Sequence, residues 1–328
     1  MPSSMTHTYF GLDVLKALPK NCQDKICGKQ EYFKLFCQGS DPFMFYHFFL
    51  GNKAREGMKI QSMMHHSATR EFFIQVVSSI YYNKLLHQPE VMAYLYGYIC
   101  HYYLDLYTHP LICYKSGIFK KSDKNTYRYN AVHQKLEYDI DLYMIQAREK
   151  DKPYRFKVYQ HIFQVNEFSP ELKNVINESI DNTYHYPDIC KIYLSSIRYM
   201  KLFFRYVNHD PTGIKLKIYR FIDKITPLYI TKLEELSYHH DFENDLSSLN
   251  LEHLPWNYPW DLSQVFTTSF FDLYDAALVE AVKAIKVITI MLEKNQFDVK
   301  VLEEVFQNLS FSTGKPCQEK LEMKYFEY

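Results

Sequence analysis

The stretch Tyr98–Pro110, YICHYYLDLYTHP, decides how this chain is read: it is apolar and aromatic, yet carries His101, Asp105 and His109 at two successive steps of four residues. Four residues make one turn of α-helix plus about 40° of rotation, so such steps project side chains from neighbouring turns of one face. An apolar helix with one polar seam is either a buried hydrogen-bonded network or a metal site. Upstream, Pro89 suits a first helical position, where its missing amide hydrogen costs nothing, and Glu90 suits the positive end of the helix dipole. A helix is predicted from Pro89 to about Tyr107. Because Pro110 disfavours helical geometry at the residue before it, His109 is expected at a frayed end or in the following loop.

Working outward, helical periodicity continues on both sides. Thr8–Leu18 has an apolar stripe ending before Pro19, with His7 just before it or in its first turn, and Arg70–Leu86 reads as a core helix. Lys115–Asn130 is polar and basic and reads as a loop, whereas Ala131–Arg148 is helical again and carries His133 and Glu137 at another four-residue step. Beyond Lys150, helices are expected over Pro170–Thr183 (Ser169 as N-cap), Asp188–Val207, Gly213–Lys224 and Phe271–Lys294. PWNYP, Pro255–Pro259, breaks the pattern and reads as a loop. With no alternating strand pattern, repeat or low-complexity tract, the expected fold is all-α: a metal-binding helical domain over residues 1–150 and a helical C-terminal region over 151–328 packed on it.

Composition removes several function classes. Lysine plus arginine equal aspartate plus glutamate at 38 each, so no global field draws the chain to nucleic acid or a charged surface, and only local patches remain. Nine glycines among 328 residues, with no GxGxxG, GxxxxGK[ST] or GxSxG, argue against dinucleotide-binding, P-loop and serine-hydrolase chemistry. The seven cysteines form no CxxC and are odd in number, which indicates reduced thiols. The first twenty residues lack the layout of a secretion signal, and the longest apolar runs are too short or too charged to span a bilayer, so a cytoplasmic location without a transmembrane segment is expected.

The chemistry-bearing residues fall in two groups, His101, Asp105 and His109, then His133 and Glu137. Imidazoles and carboxylates without thiolates suit Zn²⁺, with iron or manganese as second choices. One HxxxD on a helix is more often a hydrogen-bonded pair than a ligand pair. Two such groups within about forty residues shift the balance, because burying so many polar groups unpaired costs several kcal/mol. Further candidates lie upstream: His7 in MTHTYFG, Asp41 in GSDPFMFYHFF, and His65 and His66 in MMHHS. Asp41 also fits a turn aspartate, and the HH dipeptide does not easily place both rings on one metal, so one of the two is expected to bind. His47, among aromatics, reads as a core histidine, and His239–Asp241 (HHD) reads as surface in an acidic loop. Lys120, Lys121 and Lys124 in the basic loop can meet a phosphate or simply be solvated.

In order and spacing these residues resemble the zinc-dependent phospholipase C family, whose fold is shared with zinc nucleases that cut single-stranded nucleic acid. The similarity covers about the first 150 residues: His7, Asp41, His65 or His66, His101 and Asp105, His109, then His133 and Glu137. The resemblance implies an all-helical cleft with two or three zinc ions. Asp41, His65 or His66, His101 and Asp105 would hold the first, Asp105 would bridge to a site containing His7, and His109, His133 and Glu137 would hold the remaining ion. It implies a phosphoesterase in which a metal-activated hydroxide attacks a phosphodiester, with Asp41 assisting as a base and a phospholipid or other phosphoester as substrate. Peripheral membrane contact is compatible with that substrate. A single-strand nuclease activity is the second reading, and a non-enzymatic helical scaffold with structural metals is the third. The chain departs from the family pattern in an Asp105-to-His109 gap two residues shorter than in the secreted phospholipases, and in beginning Met1-Pro2 where they present a tryptophan to the metal.

Overall fold

The computed structural model describes residues 4–48, 51–117, 119, 123–150, 152–226, 232–238, 246–319 and 321–327. Among them are thirteen α-helices: α1 (Ser4–Ala17), α2 (Lys20–Asp24), α3 (Gln30–Phe36), α4 (Gly51–His66), α5 (Thr69–Tyr82), α6 (Pro89–Ser116), α7 (Tyr127–Glu149), α8 (Val158–His161), α9 (Pro170–Tyr184), α10 (Ile189–Phe203), α11 (Ile214–Ile225), α12 (Phe270–Glu293) and α13 (Val299–Val305). The fold is all-α, and local signals set several of these ends. The Ser169 hydroxyl accepts from the Leu172 amide at the start of α9, and Ser269 and Asp272 form a reciprocal capping box at the start of α12.

A helix that is hydrophobic all round must be buried, and α6 is the centre of the molecule for that reason. Val91 to Asp105 are buried without a break, and the helix packs against α1, α3, α7 and α12. Each fully buried Leu, Ile or Phe adds about 1.5–3 kcal/mol, so this axis is the main source of cohesion. One continuous core joins Phe10, Phe33 and Tyr96 to Phe163, Ile285 and Phe306. Buried tyrosine hydroxyls are bonded at Tyr96, to Thr289 at 2.6 Å, and at Tyr103, to the Val305 carbonyl at 2.8 Å, but those of Tyr94 and Tyr138 have no hydrogen-bond partner.

Two expectations from sequence are corrected. First, α6 does not end near Tyr107: it runs through Pro110 to Ser116, so His109 is helical and not in a loop. Proline removes one helical donor, the one due to the Leu106 carbonyl, but Leu111, Ile112 and Cys113 beyond it are all buried, and their packing outweighs that loss. Gly314, at φ +66°, comes up against the deprived carbonyl, where a Cβ would stand 3.2 Å from the oxygen. Second, PWNYP is not a plain loop: strand β1 (Trp256–Tyr258) pairs antiparallel with β2 (Asp261–Phe266). Pro255 and Pro259 bracket β1 without occupying it, so the prolines remove no donor from its ladder. All seven cysteines are free, and no described helix is long and apolar enough to cross a membrane.

Candidate metal centre

Four elements converge on one buried point. His7 comes from the first turns of α1, Asp41 opens the 3₁₀ turn Asp41–Phe45, His65 ends α4, and α6 supplies His101 and Asp105. His65 Nε2 lies 3.4 Å from Asp41 Oδ1, 3.4 Å from Asp105 Oδ2 and 3.4 Å from His101 Nε2, while His101 Nε2 lies 3.3 Å from Asp105 Oδ2. Ligands at 2.0–2.1 Å from a tetrahedral zinc are separated by about 3.3–3.4 Å, so four of the six edges of such a tetrahedron are present. Hydrogen bonding within the group does not account for it, because Asp105 Oδ2 is buried and has no hydrogen-bond partner. An orphaned carboxylate oxygen facing two imidazole nitrogens fits a cation between them.

Asp105 turns its other oxygen elsewhere. Oδ1 lies 3.1 Å from His7 Nε2 and 3.8 Å from His109 Nδ1. His109, His133 and Glu137 form a second group, in which Glu137 Oε1 is 3.0 Å from His133 Nε2 and 3.7 Å from His109 Nε2. The short Asp105-to-His109 gap works because α6 continues: one further helical turn keeps His109 on the seam and facing α7. Glu137 is 1% exposed and His133 23% exposed, so His133 is the open edge of the centre.

Three of the imidazoles, His65, His109 and His133, are aimed by their far nitrogens, whereas Nδ1 of His7 and of His101 is buried without a hydrogen-bond partner. His65 Nδ1–H donates to the Gln61 carbonyl at 3.0 Å, with the Ser40 hydroxyl also at 3.0 Å, and His109 Nδ1–H donates to the Phe311 carbonyl at 3.1 Å. His133 Nδ1 meets the Ser116 hydroxyl at 3.0 Å. Each contact leaves Nε2 as the ligand atom, as a metal-binding histidine requires. Gly39, at φ +51°, gives His101 its room, since a Cβ there would stand 2.1 Å from the ring.

Burial and charge oppose one another throughout the centre. Burial pushes His101 well below the ordinary imidazole range, against the pull of Asp105. Burial alone would raise Asp105, but the imidazoles of His109, His101 and His7 hold its carboxyl well below the usual carboxylate range. At His109 burial disfavours the cation, yet Asp105 and Glu137 more than offset it and lift the group to about 9. Burial pushes Asp41 up to about 6.

Several contributors were not read from sequence. Asp141 is buried and accepts from the amides of Met5 and Thr6 at 3.1 and 2.7 Å, from the Thr6 hydroxyl at 2.7 Å and from the Tyr238 hydroxyl at 2.8 Å. It anchors the start of α1 and so the placement of His7. Its signal was present, because Asp141 continues the four-residue step of His133 and Glu137. Phe311 had none: its ring packs on His65 and His101 with centroids 4.7 and 5.7 Å apart, and its amide donates to the His65 carbonyl. Only the tertiary fold brings that distant segment to the centre.

Other candidates lie apart. His66 is exposed, bonds the Ser62 carbonyl and the Ser312 hydroxyl, and belongs to none of the three ligand clusters. His47 is half-buried and not in the core, and it bonds the Tyr199 hydroxyl at 2.7 Å. Lys115 pairs with Glu327 at 2.6 Å, whereas Lys120, Lys121, Pro2 and the His239–Asp241 motif lie outside the described residues. A family model described as zinc-dependent phospholipase C matches residues 6–186, which includes every ligand candidate above and extends through α9. No curated protein and no solved structure gives a match.

Proposed function

Since the chain belongs to the zinc-dependent phospholipase C family, we propose that it hydrolyses a phosphodiester of a phospholipid at this centre. The match and the ligand clusters together support a zinc-dependent phosphoesterase. The observation that carries the reading is the pairing of a fully buried donor group, Asp41, His65, His101 and Asp105, with a three-donor group that has an open edge at His133. Structural zinc sites fill four positions with protein ligands, whereas catalytic ones keep a position for water or substrate.

In this reading the quartet holds one zinc, His109, His133 and Glu137 hold another, and Asp105 Oδ1 with His7 Nε2 supplies two donors for a third. Bound zinc supplies positive charge that acidifies water and stabilises charge developing on phosphate oxygens. The chain's own work is positional. Asp105 couples all the groups through two oxygens, and the enclosing side chains exclude bulk water from all but the His133 edge, where the phosphate enters.

The test is metal content and turnover of purified protein, with His101→Ala and His133→Ala beside it, on a short-chain phosphatidylcholine and on single-stranded DNA. Hydrolysis of the lipid, lost with metal in both variants, is the expected result. Less than one metal equivalent in the parent protein, with both variants unchanged in turnover, would falsify the proposal.

A further inference from the structure

One surface feature is unused by this chemistry. Helix α11, IKLKIYRFIDKI, is strongly amphipathic, but its large apolar side chains point outward. Ile214, Ile218, Phe221 and Ile225 are between 51% and 63% exposed. At 100° per residue the four lie within an arc of about 60°, forming one ridge along the helix. The helix is not misplaced, because its opposite face is fully engaged. Leu216 is buried there, the Tyr219 hydroxyl donates to the Val207 carbonyl at 3.2 Å, and Asp223 accepts from the amides of Leu233 and Glu234 at 3.0 and 2.9 Å.

Charge says what covers the ridge. The chain as a whole is neutral, yet α11 carries four basic residues, Lys215, Lys217, Arg220 and Lys224, against one acidic residue, Asp223. Lys215 is drawn inward to the Tyr206 and His209 carbonyls, and Arg220 pairs with Glu234. Lys217 and Lys224 are exposed, sit together along one edge of the ridge, and make no ion pair among the described residues. A row of large apolar side chains beside free lysines matches the boundary of an anionic bilayer, where acyl chains take the ridge and headgroups the ammoniums. Nucleic acid offers the lysines phosphates but gives the ridge no apolar medium.

We propose that α11 is a membrane-docking helix, which lies in the headgroup boundary of anionic lipid with Ile214, Ile218, Phe221 and Ile225 inserted and Lys217 and Lys224 on phosphates. The inference rests on the lipid-substrate reading above and deepens it, by bringing the enzyme to the surface that holds its substrate.

The test is flotation of the whole protein with vesicles of phosphatidylcholine containing about one-third phosphatidylserine, beside pure phosphatidylcholine vesicles. The parent protein is expected to float with the anionic vesicles. Ile218→Asp with Phe221→Asp should lower the bound fraction at least about tenfold, and Lys217→Glu with Lys224→Glu should weaken anionic binding selectively. Both pairs are exposed, so melting curves should match the parent's. Turnover of a monomeric short-chain phosphatidylcholine should be unchanged while turnover on vesicles falls. A parent protein that stays unbound, or variants that float equally well, overturns the inference. So does a parent dimer that the ridge substitutions convert to monomer, because the ridge then seats a second copy. Ridge-dependent flotation without hydrolysis of either lipid overturns the proposed function and leaves the docking helix standing. Hydrolysis of the monomeric lipid by a protein that never floats does the reverse.

Discussion

The Asp41–His65–His101–Asp105 quartet and the His109–His133–Glu137 triad share α6, yet they are built for different work. In the quartet every side chain is buried, and the four pairs that meet do so at 3.3 and 3.4 Å. In the triad they differ, 3.0 and 3.7 Å, and His133 reaches solvent. The difference teaches that one helix can carry both an enclosed and an open group of candidate metal donors, provided that separate neighbours complete them: α4 and the 3₁₀ turn for the first, α7 for the second. Asp105 stands between the two, with Oδ2 in the quartet and Oδ1 at 3.1 Å from His7 and 3.8 Å from His109.

Removing the shared residue should therefore have the largest effect. Asp105→Ala is expected to lose more than one metal equivalent by elemental analysis and at least about 10³-fold in turnover, because the quartet and the site shared with His7 each lose a donor. Retention of full metal would mean that the quartet closes without Asp105. Glu137→Gln should separate the two groups: the quartet keeps its metal, one equivalent is lost, and turnover falls roughly 10²- to 10³-fold. Loss of all metal would show that the groups do not bind independently.

Acidity offers a third way to pull them apart. His109, raised to about 9 by Asp105 and Glu137 against the opposing effect of burial, is protonated at neutral pH in the metal-free protein, whereas burial keeps His101 neutral. Metal must displace that proton, so titrated affinity at the triad should rise about tenfold per pH unit between pH 7 and 9 and then level off, with no such slope at the quartet. The sign for stability is opposite. Because the folded value lies above the ordinary one, the stabilisation from charged His109 is fully present below about pH 6.5 and lost as pH rises through about 9. Metal-free protein should accordingly melt earlier at pH 9.5 than at pH 6.5 by differential scanning calorimetry, and an unchanged midpoint would remove His109 from the account.

Smaller effects should follow the same division. Ser116→Ala, which frees His133 Nδ1, is expected to cost about 10- to 100-fold in metal affinity at the triad alone. His66→Ala should leave metal content intact and shift stability by less than about 0.5 kcal/mol, since the ring is exposed and outside both groups. Loss of a metal from that variant would reverse the assignment between His65 and His66.

Much of the helical framework was legible because its causes are local. Ser169 and Pro170 mark the start of α9, and the stripes of α1 and α5 follow from period alone. The reading failed at Pro110 and at PWNYP, where a local rule about proline met a tertiary fact. Buried residues beyond Pro110 kept α6 continuous, and the spacing of Pro255 and Pro259 left a strand between them. Asp141 was missed although its four-residue step was visible, because nothing local says that it faces the amides of α1. Phe311 lies too far along the chain for any spacing argument to reach it.

The sequence by itself determined which chemical groups are available and in what order. Imidazoles and carboxylates without thiolates, at steps of one helical turn, put ligand types on the faces of α6 and α7 before any contact is known. Tertiary structure decided how those groups combine: His65 and not His66 turned inward, Asp105 placed between two groups, a Phe311 carbonyl set behind His109, and the apolar ridge of α11 left facing out. Positions along one helix are fixed by backbone geometry over a few residues, but distances between helices are set by how the whole core packs, and that sum over many distant contacts is not written in any single stretch of the chain.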